Sequence, residues 1–226
     1  MSIVVSTRSG KSEVLTDCER KMAVFCAVDA YMDYDVKGRP RPEEPDAITD
    51  TQVHAANRAM GARCPLSAWT GLLSEPQVEL RAVDVSWDLI GLSEDRWQRE
   101  ARPALKRLYE RVLLLPRIGV APGTKVLHLM RPLLVAVADS LVLGYLGVRE
   151  SNAVHRALAV ADEVRRIGLM QANQEALAKV QSYLGDIDLV RDGGVPSTCR
   201  ILDALLWMRA SGRYDRLWAV MGLAVA

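Results

Sequence analysis

The residues whose types and spacing could do chemistry lie between Leu115 and Ser140, in the stretch L-P-R-I-G-V-A-P-G-T-K-V-L-H-L-M-R-P-L-L-V-A-V-A-D-S. A tight glycine turn between two helices leaves backbone N–H groups pointing outward beside the positive end of the second helix. That combination binds a phosphate without needing a charged side chain. Gly119 and Gly123 permit such a turn and Pro122 stiffens it. Thr124 can cap the following helix and donate to a phosphate oxygen, and Lys125, in its first turn, stands next to where the phosphate would lie. An ordinary interhelical turn has the same signature. Downstream, Asp139 is a lone carboxylate that ends an apolar run and opens the helical run S-L-V-L-G-Y-L-G, where it fits as an N-cap.

Local charge favours a polyanion. Residues 94–131 hold nine basic side chains, among them Arg117, Lys125 and Arg131, against four acidic ones, in a chain whose formal net charge is +1. A basic patch on a near-neutral protein is the footprint of localised phosphate contact. A solvated helix face with i,i+4 pairs such as Lys106–Glu110 gives the same counts.

The elements that must position these residues read as helices. The chain has 226 residues, half apolar and a quarter charged, enough for one large globular unit over 1–226. Residues 1–11 read as a loose arm with at most a short strand, and 12–34 as a helix. The Pro-rich stretch 38–45 must be loop. Thr49 or Asp50 caps a helix that Gly61 ends, Pro65 opens one containing Trp69, and Ser93-Glu94-Asp95 starts a long one through Leu115, with a kink or a delayed beginning at Pro103. Residues 152–183 form one helix broken near Gly168. Gly193-Gly194 falls in a loop, Pro196-Ser197-Thr198 opens a last long helix, and Tyr214–Leu223 closes the chain. Strand signals are few, so the expected class is all-α, with many short helices around the 115–147 core and two lobes flanking a cleft.

Composition narrows the function classes. No apolar run approaches the roughly 20 residues that span a bilayer, and Met1–Lys11 lacks the features of a secretory signal. The four cysteines are scattered with no C-x-x-C, so metal and iron–sulfur ligation are not expected, and buried thiols in a cytoplasmic monomer are the plain reading. His54, His128 and His155 are isolated. Trp87, Trp97 and Trp218 read as core. Asn57, Arg58 and Arg63, near one helix end, could line a cleft. Asp203 beside Arg200 reads as a buried pair in preference to a second site carboxylate.

L-P-R-I-G, then T-K-V-L-H-L-M, then R-P-L-L-V-A-V-A-D-S-L-V resembles the signature of the helix-hairpin-helix DNA glycosylase superfamily: L-P-G-[IV]-G, a helix, an apolar segment ending in a catalytic Asp, and another helix. The stretch is also similar to uncharacterised bacterial proteins with T-K followed by R-P-x-L-x-P-V-x-D. In those, a run like Arg200-Ile201-Leu202-Asp203-Ala204-Leu205-Leu206-Trp207-Met208 recurs near the C-terminus. The specific match covers about 30 residues. Arg117 stands where the signature has its middle glycine, residues are added at Val120–Gly123, and the Lys125–Asp139 separation is shorter than in lysine-using members.

The resemblance implies a DNA glycosylase that flips a modified or damaged base out of double-stranded DNA and excises it without metal or cofactor. The base is a cellular lesion or a hypermodified phage base met in antiviral defence. Asp139 would stabilise the oxocarbenium-like sugar and orient the attacking water. Arg117, Gly119, Gly123, Thr124, Lys125 and Arg131 would hold the DNA backbone, and Tyr34, Asn57, Trp69, Tyr145 and Trp207 are candidates for the base pocket. The short Lys125–Asp139 spacing aims Lys125 at a phosphate, which keeps it protonated, so the expected enzyme is monofunctional and leaves an intact abasic strand. A non-catalytic module binding DNA or a partner protein through the same turn is the alternative.

Overall fold

In the computed structural model, residues 1–27, 31–73, 77–187 and 194–213 are described (Met32 by its backbone alone). Trp218 and the closing segment 214–223 lie outside them, as does Gly193. The described chain is mostly helical, as expected, with one small two-stranded sheet.

That sheet corrects the reading of the N-terminus. Strands β1 (Ile3–Ser6) and β2 (Ser12–Leu15) pair antiparallel, with Ile3 opposite Leu15. Alternation decides the matter. Ile3, Val5 and Leu15 enter the core while Val14 points out, a period of two that a helix cannot use. The arm is tied down as well. The Asn173 amide accepts from Val4 N–H and donates to Val4 O, both at 2.7 Å, completing the free edge of β1 as another strand would. Helix α1 therefore spans only Cys18–Cys26.

The next elements follow their caps. Helix α2 (Asp50–Met60) starts at Thr49, whose N–H donates to the Gln52 side chain at 2.8 Å, and ends at Gly61 with φ 58°. Pro65 precedes a single 3-10 turn, Leu66–Ala68. Ser93 caps a turn that widens into a π-turn, Trp97–Ala101, before helix α3 (Arg102–Leu113). Pro103 has no N–H to offer the preceding turn, so the expected kink takes this form.

Helix α4 (Val120–Met130) is buried continuously from Gly123 to Met130. Helix α5 (Ser140–Leu146) follows, then α6 (Ala153–Gly168), α7 (Gln171–Gly185) and α8 (Thr198–Ala210). The α6–α7 break falls just after Gly168, where a Cβ would meet Ile90 at 2.6 Å. Helix α6 is the central beam and packs on α3, α4, α5 and α8. Val154, Leu158, Val164 and Ile167 supply its apolar stripe.

Candidate active site

The turn between α3 and α4 runs over residues 114–119. Arg117 adopts φ 73° and Gly119 φ 65°. Arg117 is exposed, Ile118 plugs the core, and the Cys64 thiol donates to the Arg117 carbonyl at 3.4 Å. Gly119, Val120 and Ala121 are half-buried, and no described residue accepts from their N–H groups. The helix-terminal donors predicted from the glycines are thus present, but Gly123 has another role. It lies inside α4, where a Cβ would come within 2.1 Å of Leu113 Cδ2. Its bare Cα lets α4 close onto the end of α3.

Three assignments drawn from the sequence change here. Thr124 is no cap, because the helix starts four residues earlier. Its hydroxyl donates back to Val120 O at 2.8 Å and accepts from Ala138 N–H at 3.0 Å, fully buried. Arg131 makes no surface contact. All five of its donors are used inside, on Val83 O, Pro45 O, Met130 O, Leu80 O and the Asp46 carboxylate, and it is 2% exposed. Lys125 lies in the second turn of α4 and is buried.

The Lys125 amine enters a pocket. A cavity of about 360 Å³ is lined by Phe25, Tyr31, Ala59, Met60, Gly61, Lys125, Asp139, Arg200, Trp207 and Arg213. Lys125 Nζ donates to Met60 O at 2.8 Å, which leaves further N–H groups for a ligand. Burial pushes the Lys125 ammonium below the ordinary lysine range. The carboxylates of Asp139 and Asp203 oppose that shift without cancelling it.

Asp139 reaches the same cavity from the start of α5. One oxygen, Oδ1, caps the helix by accepting from Leu141 and Val142 N–H, both at 3.0 Å. No described residue donates to Oδ2. One carboxylate therefore holds the helix and offers a second oxygen, as the cap reading allowed.

The walls were only partly legible in the sequence. Of the aromatic candidates, Trp207 lines the cavity, with Arg213 stacked 5.0 Å over its ring. Tyr34 lies behind the wall, donating to Lys125 O at 2.5 Å, and Trp69 is wholly buried. Tyr145 binds Glu13. Asn57 clamps Cys64 through both backbone groups, which closes the loop that carries Gly61. Phe25, Tyr31, Arg200 and Arg213 were not foreseen. Arg200 grips Asp35 through two nitrogens at 2.8 and 2.7 Å and Asp203 through a third at 2.7 Å. The Arg200 run that stood out in the sequence forms this floor, and Asp203 is paired as read.

Pocket and turn are neighbours. Gly61 at the pocket and Cys64 against Arg117 are three residues apart, a reach of about 10 Å. Among the described residues no group of His, Cys, Asp and Glu could hold a metal, and no helix is long and apolar enough to cross a membrane.

An amine and a carboxylate line one pocket beside the aromatic rings of Phe25, Tyr31 and Trp207, a set of groups that can exchange a proton with a ligand. The chain belongs to a family of unknown function, DUF6308, whose model matches residues 26–210. All the pocket residues except Phe25 and Arg213 lie within the match. No curated protein and no solved structure matches the chain.

Proposed function

We propose that the chain is a DNA N-glycosylase that binds duplex DNA through the turn after α3 and excises a modified base in the Lys125–Asp139 pocket. The observation that carries this reading is that both side chains line one cavity. Three features of the turn support the DNA half: exposed Arg117, the unpartnered N–H groups of Gly119 to Ala121, and the short path from the turn to Gly61. Arg117 also takes a positive φ at the place where the resembling signature has glycine, so the turn keeps a glycine-like conformation despite the substitution. A helix-hairpin-helix element beside a cleft between two lobes belongs to the same proposal.

The position of Lys125 changes the expected chemistry. An ammonium at a phosphate is held protonated, whereas an amine in a buried pocket loses its proton more readily. The lone pair on Nζ forms a bond to the sugar's anomeric carbon as the glycosidic C–N bond breaks, and the electron pair leaves with the base, which takes up the proton that Asp139 relays from the new ammonium. Asp139 stabilises the cationic sugar and takes the proton that the new ammonium sheds. Ring opening gives a Schiff base. Attack by water, the outcome inferred from spacing, is the competing route and leaves no covalent adduct.

The test is incubation with duplexes carrying modified bases, cellular and phage, followed by abasic-site detection. Base release lost in Asp139→Asn supports the proposal. Tight, salt-dependent binding with no release from any duplex favours a non-catalytic DNA-binding module.

A further inference from the structure

Asp139 ends an irregular run, 135–138, that lies in no described sheet, so its backbone groups need partners from elsewhere. Side chains supply them. Val137 N–H donates to Asp203 Oδ1 at 3.0 Å and Ala138 N–H to Thr124 Oγ1 at 3.0 Å. The Val135 carbonyl accepts from His128 Nδ1 at 2.6 Å, which fixes the proton on that nitrogen because a carbonyl cannot donate. Thr124 and His128 are four residues apart and share one face of α4, and Lys125 beside them turns to the pocket.

The supports are themselves supported. Thr124 spends its proton on Val120 O, so only its lone pairs remain for the Ala138 amide. Asp203 is held by Arg200, and Arg200 by Asp35. His128 Nε2, which has no hydrogen-bond partner among the described residues, stands 3.5 Å from Asp35 Oδ1 and closes the ring. All five side chains are at most 4% exposed. Burial raises the Asp203 carboxyl above its ordinary range. Burial pushes Asp35 the same way, but Arg200 and His128 outweigh it and hold that carboxyl lower.

We propose that Thr124 and Asp203 are positioning residues that aim the Asp139 carboxylate into the pocket by fixing the two amides immediately before it. Thr124 does not line the pocket, so it acts through Asp139 and touches no substrate. The catalytic meaning of this rests on the glycosylase proposal, while the geometric claim stands apart from it. A reacting group misplaced by about 1 Å can lose on the order of 10²-fold in rate.

Thr124→Val keeps the side chain's shape and removes the acceptor, and Thr124→Ser restores it. Amide hydrogen exchange should rise at least about 10-fold at Ala138 and at the capped amides of Leu141 and Val142, with Val137 held by Asp203. Single-turnover base release should fall on the order of 10²-fold with DNA affinity unchanged, and Thr124→Ser should recover both. Wild-type exchange at Leu141 and Val142 in Thr124→Val overturns the proposal, as does failure of Thr124→Ser to rescue. If the wild-type protein releases no base, the glycosylase reading fails alone and exchange still decides the positioning role. Thr124→Ala removes the same acceptor without placing a methyl against the Ala138 amide, and serves identically if Thr124→Val does not fold.

Discussion

The Lys125 amine and the Asp139 carboxylate line one pocket although they come from different helices, the amine from the second turn of α4 and the acid from the cap of α5. The irregular run 131–139 folds back along α4 and is tied to it at Thr124 and His128, which brings the helix start to the amine. The pair is therefore a product of the connection's path.

Asp139→Asn is expected to keep the fold, since Asn caps a helix about as well as Asp. Base release should fall on the order of 10²–10⁴-fold. Thermal unfolding and single-turnover assays on the same preparations check both. A lowered melting temperature with activity intact would make Asp139 structural.

Arg117→Ala and Lys125→Ala should separate binding from chemistry. Arg117 is exposed on the turn, so its loss is expected to weaken DNA on all sequences alike and to reduce the slope of log affinity against log salt by about 1. Lys125 is buried in the pocket, and its loss should leave that slope unchanged. Fluorescence anisotropy across a salt series measures both.

Arg131→Ala is expected to act on stability. It strands four backbone carbonyls and the Asp46 carboxylate that the guanidinium now satisfies. Removing one partner of such a buried pair costs on the order of 3–5 kcal/mol. Urea unfolding reads the loss, and a wild-type stability would contradict the clamp.

Glu13 sets an acid limit. The Arg209 guanidinium, with help from Tyr145 and Lys11 and against the effect of burial, lowers its carboxyl from an ordinary 4.5 to about 2. The unfolded chain then binds the proton first, so this contribution is complete above the ordinary value and is lost as pH falls from 4.5 towards 2. Glu13→Gln should flatten the stability profile in that window and leave its shape near neutrality unchanged. Urea midpoints measured across the window test this.

The sequence made the helix ends legible because caps are local: Thr49 with Gly61, Ser93, Asp139, Asn152 and Ser197 all start or stop helices as their types require. It made Asp139 conspicuous as an acid closing an apolar run. Charge and polarity suggest exposure for Lys125, Thr124 and Arg131, whereas all three are buried. The signal against that was present. Over Val120–Met130 the apolar residues fall on every side of the helix, and such a helix is buried, so its lysine must face a partner or a cavity. Phe25, Tyr31, Arg200 and Arg213 were beyond reach, since they come from distant parts of the chain and only packing brings them together. A short strand in the N-terminal arm is allowed by the sequence, but β2 is not legible because four residues show too little of a period-two pattern, nor is the long-range tie of β1 to Asn173.

The proposed chemistry has the Lys125 amine react with a sugar held in the pocket. The most direct measurement avoids the question of which base is excised: borohydride trapping on a duplex that already carries an abasic site, whose aldehyde any correctly placed amine can take. A covalent protein–DNA adduct from the wild-type protein, absent in Lys125→Ala and mapping to Lys125 by mass spectrometry, is the predicted result. No adduct, or an adduct undiminished in Lys125→Ala, would contradict the account.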